Sequence, residues 1–466
     1  MAMHLKKAGI NEFQIVEKGS GVGGTWYHNT YPGAECDVQS HLYSYSFEPK
    51  LDWSQPFAGQ AEILDYLNGL TDKYNIRKQI QFQTAIRSAH WSDEKSHWSL
   101  KTDTGEEFTT DVLVSAIGMF NNIVWPDIKG ISDFGGDYFH SARWNHKVDL
   151  KGKKVGVVGI AASAIQFTPE IVKDVEHLYM YQRTANWVVP KPNTPYTTEQ
   201  LDHFRTNPSA VQENRDEIYK VWNTLATFKD KAALENIEKS GLEMLAEVKD
   251  QETRAQLKPQ HPFGCRRPLF SDVYYPIFNR DNVSLITNEI DKVTSSGVLT
   301  NDGSCHEVDV LIYSTGFETT TYLNAMDVTG REGLPLKDAW EDGAQAYKGI
   351  TTAGFPNLFM LYGPNTNQGC IIFMLERQVE YIMRQLNRLD SEKLSWLDVK
   401  PGVMAQFNEK IQADANNIDV WQAACGGEFY YRAGKSGRFV TNYPDTMDEF
   451  TRLTASEDQG AFEVQA

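Results

Sequence analysis

The run Val155-Gly156-Val157-Val158-Gly159-Ile160-Ala161-Ala162-Ser163-Ala164-Ile165-Gln166 constrains this 466-residue chain more than any other. An apolar β-rich run that breaks at a glycine and continues into small helix formers reads as strand, tight turn and helix start. It follows the pattern Gly-x-Gly-x-x-Ala, with Ala161 in place of the middle glycine. In such a turn the backbone amides at a helix N-terminus face a pyrophosphate. Gly159, Ala162, Ser163 and Gln166 are therefore candidate dinucleotide contacts. A methyl group at 161 crowds the closest approach, so binding is expected to be weakened rather than abolished.

The next strand-like run, His177 to Gln182, ends in Arg183-Thr184 where an NAD enzyme carries an acid. A guanidinium fork and a hydroxyl suit the extra 2′-phosphate of NADP, which predicts NADPH over NADH. A second unit lies at the start of the chain. There Phe13 to Val16 is a short β-rich run closing on Glu17, an acid placed to bond a ribose hydroxyl. Glu17 in one unit and Arg183 in the other imply two different dinucleotides, one a flavin and one a phosphorylated nicotinamide. The first unit should open with a strand and a Gly-x-Gly-x-x-Gly turn, and the sequence begins too late to hold either. The expectation is an N-terminally truncated flavin unit with badly reduced flavin affinity.

A formal net charge of −17 and a pI near 5.2 argue against nucleic acid or an anionic membrane as partner. Cysteines at 36, 265, 305, 370 and 425 form no Cys-x-x-Cys pair, and the odd number suits neither a disulfide framework nor a zinc site. A reducing cytoplasm is the simplest setting. No apolar run approaches the length of a membrane span.

The predicted fold class is α/β, with two Rossmann-like dinucleotide-binding domains and a helical insert. Residues 1–141 and 320–466 are assigned to the FAD domain, 150–199 and 261–318 to the NADP domain, and 200–260 to the insert. Residues 79–108 read as a β-meander with a turn at Thr102-Asp103-Thr104-Gly105, and the polar tail after Ser456 as disordered. The runs ending in Gly118 and Gly316 read as buried strands with small-residue ends that carry the chain between the two units.

Four further segments are distinctive. Gly19 to Tyr27 contains Gly24-Thr25-Trp26, and Tyr31-Pro32-Gly33-Ala34-Glu35-Cys36-Asp37-Val38 follows it. Phe134-x-Gly136-x-x-x-His140-x-x-x-Trp144 joins the two units, and His261 to Tyr275 pairs Arg266 with Arg267 among small and aromatic residues of an acidic protein. In this order the segments resemble the Baeyer–Villiger monooxygenases, although Asn145 stands where that family usually has Pro or Asp.

The resemblance implies that NADPH reduces FAD, that dioxygen adds to the reduced ring, and that the flavin peroxide attacks a ketone to give an ester or lactone. It implies that Arg267 is the catalytic arginine, that Asp37 holds and tunes it, and that Arg266 meets the NADP phosphate. Gly24, Thr25, Trp26, Asp37 and Tyr43 would lie along the flavin, and Asn365 of Gly363-Pro364-Asn365 would border its ring. Two alternatives stay open: a flavin monooxygenase that oxidises nitrogen or sulfur and does without Trp144 and Arg267, or an inactive truncated nucleotide-binding homologue. A flavin disulfide reductase is disfavoured by the lack of a redox cysteine pair.

Overall fold

Alternating valines in Lys154–Val158 place side chains on both faces of a strand, and both faces are covered in the computed structural model, which describes residues 1–422 and 431–466. This strand is the centre of a five-stranded parallel sheet. His177–Tyr181 and Val283–Ile286 lie on one side of it, and Val310–Tyr313 and Asp137–His140 on the other. Val155, Val157, Leu178, Met180, Val310 and Ile312 pack under the helix Ala162–Ile171. Val158, Tyr181, Leu311 and Tyr313 face the other way, onto Phe134, Val293 and Val298. Continuous apolar strands are what a parallel sheet buried on both faces requires.

The linker motif contributes to this sheet, because Asp137–His140 is its edge strand. Trp144 then packs its ring 5.2 Å from that of Phe139 and 5.1 Å from that of Phe167.

The other lobe of the chain is built from smaller pieces. Ile15–Val16 pairs in parallel with Ile80–Gln81, and Leu113–Ser115 pairs in parallel with Leu358–Met360, as two separate ribbons. The expected meander forms from Ile86–Ser92, His97–Thr102 and Glu107–Thr110, joined at its edge by Asp327–Thr329. Four helices, Thr198–Thr206, Pro208–Leu225, Lys231–Leu245 and Gln251–Leu257, occupy the insert.

Two expectations are corrected. The tail after Ser456 is ordered: Phe462–Gln465 pairs antiparallel with Trp396–Val399, Phe462 is buried, and the Trp396 indole donates to Gln465. One buried aromatic and a ladder of backbone bonds outweigh the polar composition of this segment. Cys265 is disulfide-bonded, whereas Cys36, Cys305 and Cys370 are free. Among the described residues no helix is long and apolar enough to cross a membrane, and no cluster could hold a metal ion. The sequence reads the region of Trp421 and Gly426 to Tyr430 as C-terminal packing and lid; Gly426 to Tyr430 lie outside the described residues, while Trp421 is buried and stacks 4.6 Å from Phe439.

Candidate functional site: a cleft walled by both lobes

A cleft of about 1760 Å³ runs from the Gly159 turn to the loop that carries Asp37. Thr25, Trp26, Asp37, Tyr43, Gly159, Ala162, Ser163, Gln166, Arg183, Thr184, Arg266 and Arg267 all line it. Glu17, Gly24 and Asn365 do not. The Glu17 carboxylate accepts from the Gly19 amide at 2.5 Å and so closes its own loop. Gly24 is the N-cap of the short helix Thr25–His28, with φ of 53°. Asn365 is buried and donates to the carbonyls of Phe439 and Asn442.

At one end of the cleft, the turn after Val158 is made by Gly159, whose φ is 91°. A β-carbon there would stand 2.7 Å from the Ser314 carbonyl oxygen. Ala161 has φ −129° and ψ −165°, ordinary extended backbone, and is exposed, so its methyl group faces the cleft rather than straining the turn. Arg183 is exposed on the rim with Thr184 beside it, and together they offer a phosphate both cationic and hydroxyl donors.

The two walls are tied together by Gln166. Its side-chain Oε1 accepts from the Tyr31 hydroxyl at 2.9 Å, and its Nε2 donates to the Glu35 carbonyl at 3.1 Å. Gly33 permits this close approach: at φ 74°, its missing side chain leaves room for the backbone carbonyl oxygen of Gln166, which a β-carbon would approach to 2.6 Å. The glycines at 21 and 23 have a packing role. A β-carbon at Gly21 would collide with the Tyr27 ring, and one at Gly23 would stand 2.5 Å from Leu64 Cδ1. Gly21 and Gly23 thus fit the loop onto its own helices, and Gly23 also lines the cleft.

At the other end the Trp26 indole donates to the Tyr43 hydroxyl at 3.2 Å, with the two rings edge to face. Burial, and then the nearby Cys36, push the Tyr43 hydroxyl well above its ordinary range, so it stays a neutral phenol. Arg267 approaches Asp37 from across the cleft, Nη2 to Oδ2 3.6 Å, with its guanidinium 5.7 Å from the centre of the Phe120 ring. Its side chain keeps 43 % of its surface open.

Three neighbours had no signal in the sequence. Lys191 lies behind this wall with its side chain 1 % exposed and reaches Glu35 Oε1 at 2.8 Å and Asp37 Oδ1 at 3.1 Å. Burial pulls its ammonium down, but Asp37 and Glu35 outweigh that and hold it above its ordinary value. The Asn186 amide donates to the Arg267 carbonyl at 3.0 Å. Arg215, from the insert helix Pro208–Leu225, is buried and donates through Nη1 to the carbonyls of His41, Leu42 and Ser44 at 2.8, 3.1 and 2.9 Å. Trp222 on the same helix lines the cleft and donates to Gln39 at 2.7 Å.

Residues 1–239 match the family model described as pyridine nucleotide-disulphide oxidoreductase. A Baeyer-Villiger monooxygenase of Pseudomonas aeruginosa is 37% identical over 100% of this chain and 89% of its own length. A second, from Streptomyces coelicolor, is 36% identical over 99% of this chain and 90% of its own length. Among solved structures, a cyclohexanone monooxygenase from Rhodococcus sp. Phi1 bound to NADP+ superposes with a TM-score of 0.89 at 29% identity, covering 100% of this chain and 96% of that one. An oxidised steroid monooxygenase bound to NADP gives 0.88 at 29% identity, covering 100% of this chain and 97% of that one.

Proposed function

The chain belongs to the Baeyer–Villiger monooxygenase family, and from that premise we propose that the cleft oxidises ketones with the pairing of Arg267 and Asp37 at its centre. The protein is an FAD- and NADPH-dependent monooxygenase that inserts one oxygen atom of O2 beside a ketone carbonyl to give an ester or lactone. The other oxygen atom leaves as water, and NADPH supplies the two electrons. We place this activity in the cytoplasm, where NADPH is supplied.

The residues present fit the nicotinamide dinucleotide. Gly159, Ala162, Ser163 and Gln166 line the cleft at the start of the helix, and Arg183 and Thr184 line it as well, offering a phosphate cationic and hydroxyl donors. Arg266 lines the same cleft and would add a second positive charge to that phosphate. The face made by Thr25, Trp26, Asp37 and Tyr43 fits a flat ring. FAD bound there supplies the activation of dioxygen.

The remaining work falls to the chain's own side chains. As the ketone carbonyl becomes tetrahedral its oxygen gains negative charge, and a fixed cation at that atom lowers the barrier. Arg267 meets this need because a guanidinium keeps its proton at any working pH and points in a defined plane. Asp37, 3.6 Å from Nη2, limits where the guanidinium can swing. Gln166 and Gly33 keep the two walls in register, so the two dinucleotides and the ketone meet in one place.

The observation that carries this reading is the half-open Arg267 side chain lining the cleft with the Asp37 carboxylate 3.6 Å from it. Arg267→Ala should abolish ester formation from ketones while NADPH consumption persists. Unchanged ketone turnover in that variant, or thioether oxidation by the wild type without any ester, would refute the assignment.

A further inference from the structure

Arg267 and Lys191 are carried by one ribbon. Val188–Val189 pairs in parallel with Leu269–Phe270, Arg267 lies two residues before the second strand, and Lys191 lies two residues after the first. The ribbon is pinned at both ends: Asn186 donates to the Arg267 carbonyl at 3.0 Å, and the Lys191 amide donates to Asp272 Oδ1 at 2.7 Å. Asp37 comes from the opposite wall and is met on each of its oxygens by one of these cations, Oδ1 by Lys191 at 3.1 Å and Oδ2 by Arg267 at 3.6 Å. Lys191 does not line the cleft.

We propose that Lys191 is a positioning residue that occupies Asp37 Oδ1, so that only Oδ2 is left for Arg267 and the guanidinium stays extended into the cleft. This rests on the oxygen-inserting role of Arg267 given above. A carboxylate with both oxygens free takes a guanidinium in a bidentate grip, two parallel N–H···O bonds. That grip would lock Arg267 onto the Asp37 loop and turn its donors to the carboxylate. Lys191 prevents it with a single buried donor whose own place is fixed by Glu35, and Glu35 is in turn held through Oε2 by the Asn193 amide at 2.8 Å. The Phe57 ring lies 5.2 Å from the ammonium and shuts out water that could substitute for it. Lys191 therefore sets the reach of Arg267 without touching the reacting atoms.

The test measures ester formed per NADPH consumed, kcat and KM for the ketone, and the unfolding midpoint. It uses the flavin-loaded wild type, Lys191→Met, Lys191→Arg, and the charge-balanced pair Lys191→Met with Glu35→Gln. The pair leaves no unpaired buried acid, so it reports on Arg267 even where Lys191→Met alone folds poorly. The expected result is a loss of about 10²-fold in kcat for ester formation, the scale of an ångström of misplacement. NADPH consumption should continue, KM should be little changed, and Lys191→Arg should restore most of the yield. In an Asp37→Asn background Lys191→Met should add no further loss, because the effect runs through that carboxylate. An ester-to-NADPH ratio equal to wild type in the charge-balanced pair overturns the proposal while leaving the assigned function intact. A wild type that yields no ester from any ketone overturns both.

Discussion

Two lysines in this protein are buried to the same degree and serve different ends. Lys191 and Lys348 each have side chains 1 % exposed. Lys191 faces two carboxylates, Glu35 and Asp37, and is held above its ordinary value because the pair outweighs the cost of burial. Lys348 faces one, Asp458 at 2.8 Å, and burial wins, so its ammonium is pulled below 10.5. Around Lys348 are the Tyr347 and Tyr381 rings, and the Tyr381 hydroxyl shares Asp458. That arrangement latches the C-terminal segment to the helix Ile371–Ser391 and lies outside the cleft. The sign of the shift thus separates a cation held in surplus negative charge, next to chemistry, from one held by a single counter-ion as a structural tie.

The comparison breaks most visibly in unfolding experiments. Lys348→Met strands Asp458 in the interior and should lower stability by about 3–5 kcal/mol in urea titrations. Its ester yield per NADPH should stay at the wild-type level, and a drop in yield would mean that the latch also serves the site. Adding Asp458→Asn to Lys348→Met removes the stranded charge and should recover about 2 kcal/mol of that loss. Arg267→Lys keeps the charge but loses the planar fork, and steady-state assays should show coupling of NADPH to ester reduced about ten-fold, the worth of one charged hydrogen bond.

The smallest effect lies at alkaline pH and differs in form between the two sites. Lys348, with its folded value below 10.5, binds fewer protons when folded, so its contribution to stability grows as pH rises towards 10.5. Lys191, with its folded value above 10.5, contributes in full below that pH and loses its contribution only above it. Urea midpoints at about pH 8 and about pH 10 should therefore move the wild type relative to Lys348→Met by up to about 1 kcal/mol, and leave the gap to Lys191→Met constant. A widening gap for Lys191 would place it in the same class as Lys348.

Local chemistry made much of this site readable from sequence. The Gly159 turn, the Arg183-Thr184 pair and the insert helices are short-range patterns, and each appears where its spacing puts it. Asp37 and Arg267 were brought together only through the family resemblance, since 230 positions separate them. Lys191 gave no sign, because a lone lysine in Val-Val-Pro-Lys-Pro-Asn reads as solvated and the acid that holds it lies 154 residues away. Arg215 was hidden for the same reason: an arginine among Glu and Asp on a helix looks like a surface charge, and the three carbonyls it binds belong to another lobe. The glycines at 21 and 23 are ambiguous in a sequence, since room for a ligand and room for a neighbouring side chain leave the same mark there.

The grip of Arg215 on the carbonyls of His41, Leu42 and Ser44 also bears on how such an enzyme can change over time. The helix that carries it presents Trp222 to the cleft, and the loop that it holds includes Tyr43 and follows directly on Asp37. Selectivity and reactivity are therefore written on mechanically joined parts. A lineage that reshapes the insert to admit a larger ketone disturbs the frame of its own oxygen-inserting centre, and laboratory evolution of substrate range should progress through paired changes, one in the helix and one in the loop.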